Sequence, residues 1–176
     1  MATMFAIGFG GATAQAGTFV LGTGVSSIEI AGSDLKAVLT QALIEYRLGE
    51  GEEGFDFGIQ GRLGSSTEAN YTSTTGGITT QIKSDVLVSD VFIKGLYTFK
   101  DYELYGLVGQ SSIDTNQSIF QSLGNITTSN IGTSNRKVTS FGIGFNKKIK
   151  TFSVGVEYIR YDQLTQAYGL MIMRRF

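Results

Sequence analysis

Apolar and polar side chains alternate with a period of two along most of the chain from Gly17 onward. In one clear example Phe55 and Phe57 share one face of the pattern, whereas Asp56 and Gln60 lie on the other. Successive side chains of a β-strand point to opposite sides, so this period indicates strands with one apolar and one polar face. The pattern predicts eight strands, over residues 18–26, 37–48, 54–64, 84–99, 102–111, 137–147, 151–161 and 167–176.

The connections between the predicted strands alternate in length. Short turns follow the second, fourth and sixth strands, whereas two of the other connections, 65–83 and 110–136, are long and rich in Ser, Thr and Asn. Short turns at one end and long polar loops at the other are typical of an up-and-down barrel. We therefore predict an all-β fold, an eight-stranded antiparallel up-and-down transmembrane β-barrel, with both termini at the periplasmic, short-turn end.

The composition indicates that, if this chain spans a membrane, strands rather than helices must cross it. The chain has 176 residues and a mean hydropathy of +0.08. It has no run of roughly 18 uninterrupted apolar residues, the length that a spanning helix needs. Its 24 glycines and its lack of proline suit a closed sheet, in which backbone donors must pair around a narrow interior.

Charge and cysteine content exclude several classes of function. The formal net charge is −1, from 14 basic and 15 acidic residues, which does not provide the basic surface of a nucleic-acid-binding protein. The chain has no Cys, so neither a disulfide nor a thiolate metal site can form.

Residues 1–16 differ from the rest of the chain. They contain an apolar run from Met4 to Phe9 and end in the small-x-small pattern Ala14 to Ala16, which signal peptidase recognises. No Lys or Arg precedes the apolar run, although signal peptides usually begin with one. We expect residues 1–16 to be a signal peptide without its basic start and residues 17–176 to form the barrel. The alternative is that the first nine residues are an early strand or a loose terminus.

Outward-facing aromatic residues gather at one end of the predicted strands. Rows of aromatic rings mark the membrane interfaces of outer-membrane barrels. Every predicted strand supplies at least one ring at its short-turn end, which predicts a periplasmic girdle of Phe19, Tyr46, Phe55, Tyr97, Phe99, Tyr102, Phe145, Phe152 and Phe176. The candidates for the opposite girdle are Phe141, Tyr158 and Tyr168.

These features resemble those of the small eight-stranded outer-membrane barrels of Gram-negative bacteria, such as the OmpX-like and opacity-protein families and the transmembrane domain of OmpA. The resemblance covers residues 17–176 and rests on the ATAQA cleavage pattern, the opening strand GTFVLGTG, the alternating connections and Phe176. Arg174 stands where family members commonly have an aromatic residue, and we expect its guanidinium to reach out of the apolar layer. The resemblance implies an assembly signal, read by the barrel-assembly machinery, that consists of Tyr168, Leu170, Ile172 and Phe176.

The inward face of the predicted barrel carries charges of both signs. The interior of an eight-stranded barrel is just wide enough for side chains to fill it, and buried charges usually pair. We therefore expect a side-chain-filled polar lumen rather than a small pore or a solute-binding barrel, which remain the alternatives. The predicted network consists of Glu45, Arg47, Asp56, Gln60, Arg62, Asp90, Lys94, Glu103, Asn146 and Glu157.

Enzymatic chemistry has little support in the sequence. Outer-membrane barrel enzymes generally use a histidine with a serine or carboxylate partner, and this chain has no histidine. Carboxylates such as Glu157 and Asp162 remain, but no nucleophile lies beside an activating base. We expect no enzyme activity, no cofactor and no metal site.

The two long polar connections, 65–83 and 110–136, suit solvated surface hairpins. We expect a monomeric outer-membrane protein that contacts lipid, contributes to envelope structure and meets an unidentified surface partner through these segments. A soluble lipocalin-like barrel that binds an apolar ligand is the remaining alternative, although the chain lacks the Trp that such barrels usually carry near their start.

Overall fold

The computed structural model describes residues 17–30, 36–49, 53–66, 69–123 and 126–176. No helix in this part of the chain is long and apolar enough to cross a membrane. Residues 1–16, the predicted signal peptide, lie outside the described residues. The described strands are β1 Thr18–Ile30, β2 Lys36–Arg47, β3 Gly54–Ser66, β4 Ala69–Thr75, β5 Ile78–Phe99, β6 Tyr102–Leu123, β7 Ile126–Ile149, β8 Phe152–Arg160 and β9 Thr165–Arg175.

Eight of these strands close into a ring. The hydrogen-bonded order is β3-β2-β1-β9-β8-β7-β6-β5, and β3 pairs with β5 to complete the circle. The closing register runs from Gly54 opposite Thr98 to Ser65 opposite Leu87. All pairings are antiparallel. The predicted eight-stranded up-and-down barrel is therefore confirmed.

The two ends of the ring differ, as the connection lengths indicated. At one end, the turn end, Phe99 pairs with Tyr102 and Ile149 pairs with Phe152, so only two residues join each pair of strands. The first residue of each turn, Lys100 or Lys150, has a positive φ of 51° or 58°, as tight hairpin turns require. At the other end, the hairpin end, residues 161–164 join β8 to β9.

The strands extend further at the hairpin end than the sequence predicted. Residues 65–83 and 110–136, expected to be polar loops, are largely strand: β4 lies in the first, and β6 and β7 continue through the second. We call β4 with residues 78–84, 117–123 and 126–132 the hairpin sheet. The side chains of residues 72–75, 78–84, 117–123 and 126–132 are mostly exposed or half-buried, so the alternation of apolar and polar residues that revealed the other strands is missing. Main-chain hydrogen bonds and Thr and Ile side chains, which favour strands, hold it instead.

The outward face of the ring is apolar, and the inward face is densely packed. In β2, exposed and buried residues alternate without exception. Large apolar side chains exposed on the outward face include Leu21, Val25, Ile44, Ile59, Leu63, Val91, Ile93, Val108, Ile143, Val156, Leu170 and Ile172.

Candidate functional site

Glu103 is the centre of the charged network in the turn-end half of the barrel interior. Its carboxylate is fully buried and accepts hydrogen bonds from Arg47 Nη1 at 2.6 Å, Arg175 Nη2 at 2.9 Å and Asn146 Nδ2 at 3.2 Å. Lys148 Nζ lies 3.5 Å from the same carboxylate. The donors come from β2, β7 and β9, so this one acidic side chain ties several walls of the ring together.

A second buried carboxylate, Glu45, extends this network toward the middle of the barrel. Glu45 accepts from Lys94 Nζ at 2.8 Å and from Gln60 Nε2 at 3.0 Å, and it also pairs with Arg47. Lys94 further lies 4.1 Å from the ring centroid of Tyr105, a cation–π geometry. Burying a charge costs free energy unless the charge is paired, and these contacts offset that cost for Glu45, Arg47 and Lys94.

The middle of the barrel is crossed by an ion pair between Arg62 and Glu157. The guanidinium of Arg62 donates to both carboxylate oxygens of Glu157, and Tyr105 donates to the same carboxylate at 2.9 Å. Arg62 also donates to Gln60 Oε1 at 2.6 Å. Since Gln60 donates to Glu45 in turn, the two halves of the network are joined into one chain of hydrogen bonds.

Two of the predicted network residues stand apart. Asp90 is buried, and the Tyr161 hydroxyl donates to its Oδ2 at a long 3.5 Å, whereas its Oδ1 has no hydrogen-bond partner among the described residues. Asp56 is only half-buried and accepts from the backbone N–H of Phe57 at 2.7 Å. The structure thus brings eight of the ten predicted residues into contact, leaves Asp90 at the margin, and places Asp56 outside the network.

An apolar layer, which the sequence reasoning missed, begins beside the network and fills the interior toward the hairpin end. The lumen is therefore not polar throughout, contrary to expectation. The segment VLVSDVFI carried a signal for this layer. Val86, Leu87 and Val88 are consecutive apolar residues, so both faces of the strand are apolar there. Its fully buried members include Ile28, Leu39, Val88, Phe92, Ile113, Ile159 and Tyr161.

Glycines make room for the larger interior side chains. A Cβ at Gly144 would lie 2.1 Å from Tyr105 Cζ, and a Cβ at Gly24 would lie 2.2 Å from Met171 Sδ. Neither distance is compatible with an ordinary contact, so these positions require a residue without a side chain. Glycine on the β7 wall thus allows the Tyr105 ring to lie where its hydroxyl reaches Glu157.

The interior satisfies its charged groups largely from within. Most of its charged groups are held by opposite charges, and the described residues contain no group of three or more acidic, His or Cys side chains that could hold a metal ion.

The predicted girdle residues lie on the outward face at the turn end, where they form a nearly continuous row of rings. Ring centroids are 5.0 Å apart for Phe19 and Tyr46 and 4.9 Å apart for Phe55 and Tyr97. The row continues from Tyr97 through Phe99, Tyr102 and Phe145, with centroids 5.4 to 6.2 Å apart.

The last strand completes this row. Tyr168, Leu170, Ile172 and Phe176 are all more than half exposed on the outward face. The guanidinium of Arg174 lies between two rings, 5.6 Å from the centroid of Phe152 and 4.9 Å from that of Phe176. The backbone N–H of Phe176 donates to Phe19 O at 2.9 Å, which attaches the end of the row to β1. At the hairpin end, Tyr158 and Tyr168 pack with centroids 5.1 Å apart.

The comparisons with known proteins concern the fold. No protein-family model matches the sequence, and no curated protein matches it. Ail, the attachment invasion locus protein of Yersinia pestis, is similar in structure, with a TM-score of 0.52 at 15% identity over 91% of this chain and 97% of Ail. The N-terminal β-barrel domain of Pseudomonas aeruginosa OprF gives 0.49 at 14% identity, over 92% and 98% of the two chains. Neisserial surface protein A gives 0.43 at 11% identity, over 90% and 95%.

At these identities the likeness shows the fold alone. The eight-stranded ring and its similarity to Ail together establish that this chain has the fold of the small outer-membrane β-barrels.

Proposed function

We propose that this protein is a non-enzymatic β-barrel of the bacterial outer membrane, closed inside by its own side chains, whose hairpin sheet meets a partner at the cell surface. The observation that carries the proposal is the inverted distribution of polarity. Charged side chains such as Arg47 and Lys94 are buried inside the ring, whereas the large apolar side chains of the outward face are exposed. A continuous apolar outer surface is unfavourable in water and favourable against lipid.

The aromatic row supports the same location. Rings at the turn end mark one membrane interface, and the pair Tyr158 and Tyr168 marks the other. Short turns face the periplasm in barrels of this kind. We therefore place the turn end, where β1 begins and β9 ends, in the periplasm and the hairpin sheet outside the cell.

The packed interior supports a barrel that does not conduct. The ionic network and the apolar layer together fill the interior along the barrel axis, so an ion would have to displace both. An eight-stranded barrel leaves little room beyond its own side chains. Envelope structure and surface contact, rather than solute passage, are the roles that this interior suits.

The hairpin sheet supports a surface contact. Its outer strands, β4 and the end of β7, each pair with a neighbour on one side only among the described residues. Such free edges present unpaired main-chain groups to another chain. Ile126 and Ile131, which are 68% and 75% exposed, add apolar contact area there. Ail, named for attachment and invasion, has the same fold. The closed ring itself has no free edge, and we propose that the barrel is a monomer in the membrane.

Two measurements test this proposal. We expect the purified protein to require detergent or lipid and to migrate differently on a gel before and after heating, because a folded membrane barrel resists unfolding by detergent. Solubility without detergent would contradict the membrane location and favour the soluble barrel. In planar bilayers we expect no reproducible channel openings. Discrete openings would instead favour the small pore.

A further inference from the structure

Two pairs of adjacent basic residues at the turn end divide their charges between the inside and the outside of the barrel. On β7, Lys148 points inward and lies 3.5 Å from Glu103, whereas Lys147 is exposed outside, 5.9 Å from the ring centroid of Tyr102. On β9, Arg175 points inward to Glu103, whereas Arg174 lies outside between two aromatic rings. The inner charges thus share the Glu103 carboxylate as an ion-pair partner.

The outer charges have contacts of a different kind. The structure gives Lys147 and Arg174 aromatic contacts, with no carboxylate among the described residues within ion-pair distance. A third cation, Lys150, is exposed in the turn between β7 and β8. The backbone N–H of Arg175 donates to Thr151 O at 3.1 Å, which holds this turn against β9. Three cations therefore lie on adjacent elements along one sector of the aromatic row.

This basic sector is local. The connection between β2 and β3, elsewhere on the turn end, has the sequence GEGEEG. Lys100 lies in the turn between β5 and β6, and its backbone N–H donates to Glu53 Oε1 at 3.1 Å. A uniformly basic rim would attract anions all round. An excess of outward positive charge on β7 to β9 alone points to a ligand at that sector.

We propose that the turn-end sector formed by Lys147, Lys150 and Arg174 binds the phosphate head group of an anionic phospholipid in the periplasmic leaflet. The inference rests on the proposed membrane location. Cations at the height of an aromatic row lie at the level of lipid phosphates, which long basic side chains reach by extending out of the apolar layer. Arg binds phosphate through two parallel hydrogen bonds, and Lys adds a point charge. The acyl chains would lie along outward residues such as Val154 and Ile172.

The test compares the lipids that stay bound to the folded protein. Protein in mild detergent is offered equal amounts of phosphatidylglycerol and phosphatidylethanolamine with identical acyl chains, and the bound lipid is measured by native mass spectrometry. We expect wild-type protein to prefer phosphatidylglycerol. Each removed charge should weaken that preference roughly fivefold, the scale of one basic residue near an anionic membrane surface.

The variants are Lys150→Asn and the combination Lys147→Gln, Lys150→Asn and Arg174→Gln. Lys100→Asn is the matched control, because Lys100 is also an exposed turn lysine with a positive φ, a conformation that Asn tolerates. We expect the control to keep the wild-type preference. Equal binding of both lipids by wild-type protein, or equal losses in Lys150→Asn and Lys100→Asn, would overturn the proposal.

Two further experiments distinguish a lipid site from a general anion site and from a failure of the proposed membrane location. Excess inorganic phosphate should leave the lipid preference intact, whereas its loss would show a general anion site and overturn the lipid assignment. Reconstitution into phosphatidylcholine vesicles checks the membrane location by itself. Wild-type protein that inserts there but shows no preference for the anionic lipid contradicts only this inference. Wild-type protein that does not insert contradicts the proposed function as well.

Discussion

Arg62 on β3 and Glu157 on β8 form an ion pair straight across the ring, four strands apart in either direction. Both side chains are almost fully buried. Their separation of 95 residues in sequence means that the pair forms only when the barrel is closed. It therefore reports directly on the tertiary structure.

We expect Arg62→Met to lower the free energy of unfolding by about 3 to 5 kcal/mol, because Glu157 would stay buried without its cation. Adding Glu157→Gln should recover much of that loss. Lys36→Met is the matched control, because it also removes one partner of an ion pair, that of Lys36 Nζ with Glu29 at 2.8 Å, but the Lys36 side chain is 71% exposed. Urea unfolding in lipid, followed by circular dichroism, measures all four proteins. Equal losses in Arg62→Met and Lys36→Met would contradict the importance of the buried pair.

We expect Gly144→Ala to lower the free energy of unfolding by about 1 to 3 kcal/mol, the usual cost of overpacking. The added Cβ would meet the Tyr105 ring at 2.1 Å and push its hydroxyl away from Glu157. Gly106→Ala is the control, since its nearest neighbour would be Gly142 O at 4.0 Å. Tyr105→Leu should relieve most of the clash, so an undiminished loss in the double variant would show that the ring is not the obstacle.

The turn between β4 and β5 should tolerate Gly76→Asn but not Gly77→Val. Both glycines have positive φ, 61° and 80°, which Asn adopts with little strain and a β-branched residue does not. We expect Gly77→Val to expose residues 69–83 to limited proteolysis while the barrel keeps its heat-modifiable migration. Loss of that migration would mean that the hairpin sheet and the ring fold as one unit.

At the turn end, we expect Phe176→Ala to reduce the amount of folded protein in the membrane and Arg174→Leu to leave it near normal. Phe176→Ala removes a ring that is exposed on the outward face and contacts the Arg174 guanidinium, whereas Leu at position 174 would still suit the apolar outer face. Quantifying the heat-modifiable form in isolated membranes measures both variants. A normal yield for Phe176→Ala would remove the role of this ring in assembly.

The sequence by itself determined the ring and the sides of its strands. A period of two assigns each residue to one face, and alternating connection lengths give the up-and-down order, so Phe55 and Leu170 were placed outside and Glu45 and Arg62 inside without coordinates. These are local properties, and the chain carries them in every strand. The hairpin sheet escaped prediction because strands with two solvated faces carry no such alternation.

Only the tertiary structure decided which inward residues meet. The closure of β3 on β5 brings Arg62 to Glu157 and Arg47 to Glu103, whereas Asp56, on the same face, reaches neither. The division of the interior into a charged and an apolar layer likewise depends on the height of each residue along the axis, which follows from the pairing register. Register and closure are relations between distant strands, and the period of a single strand does not contain them.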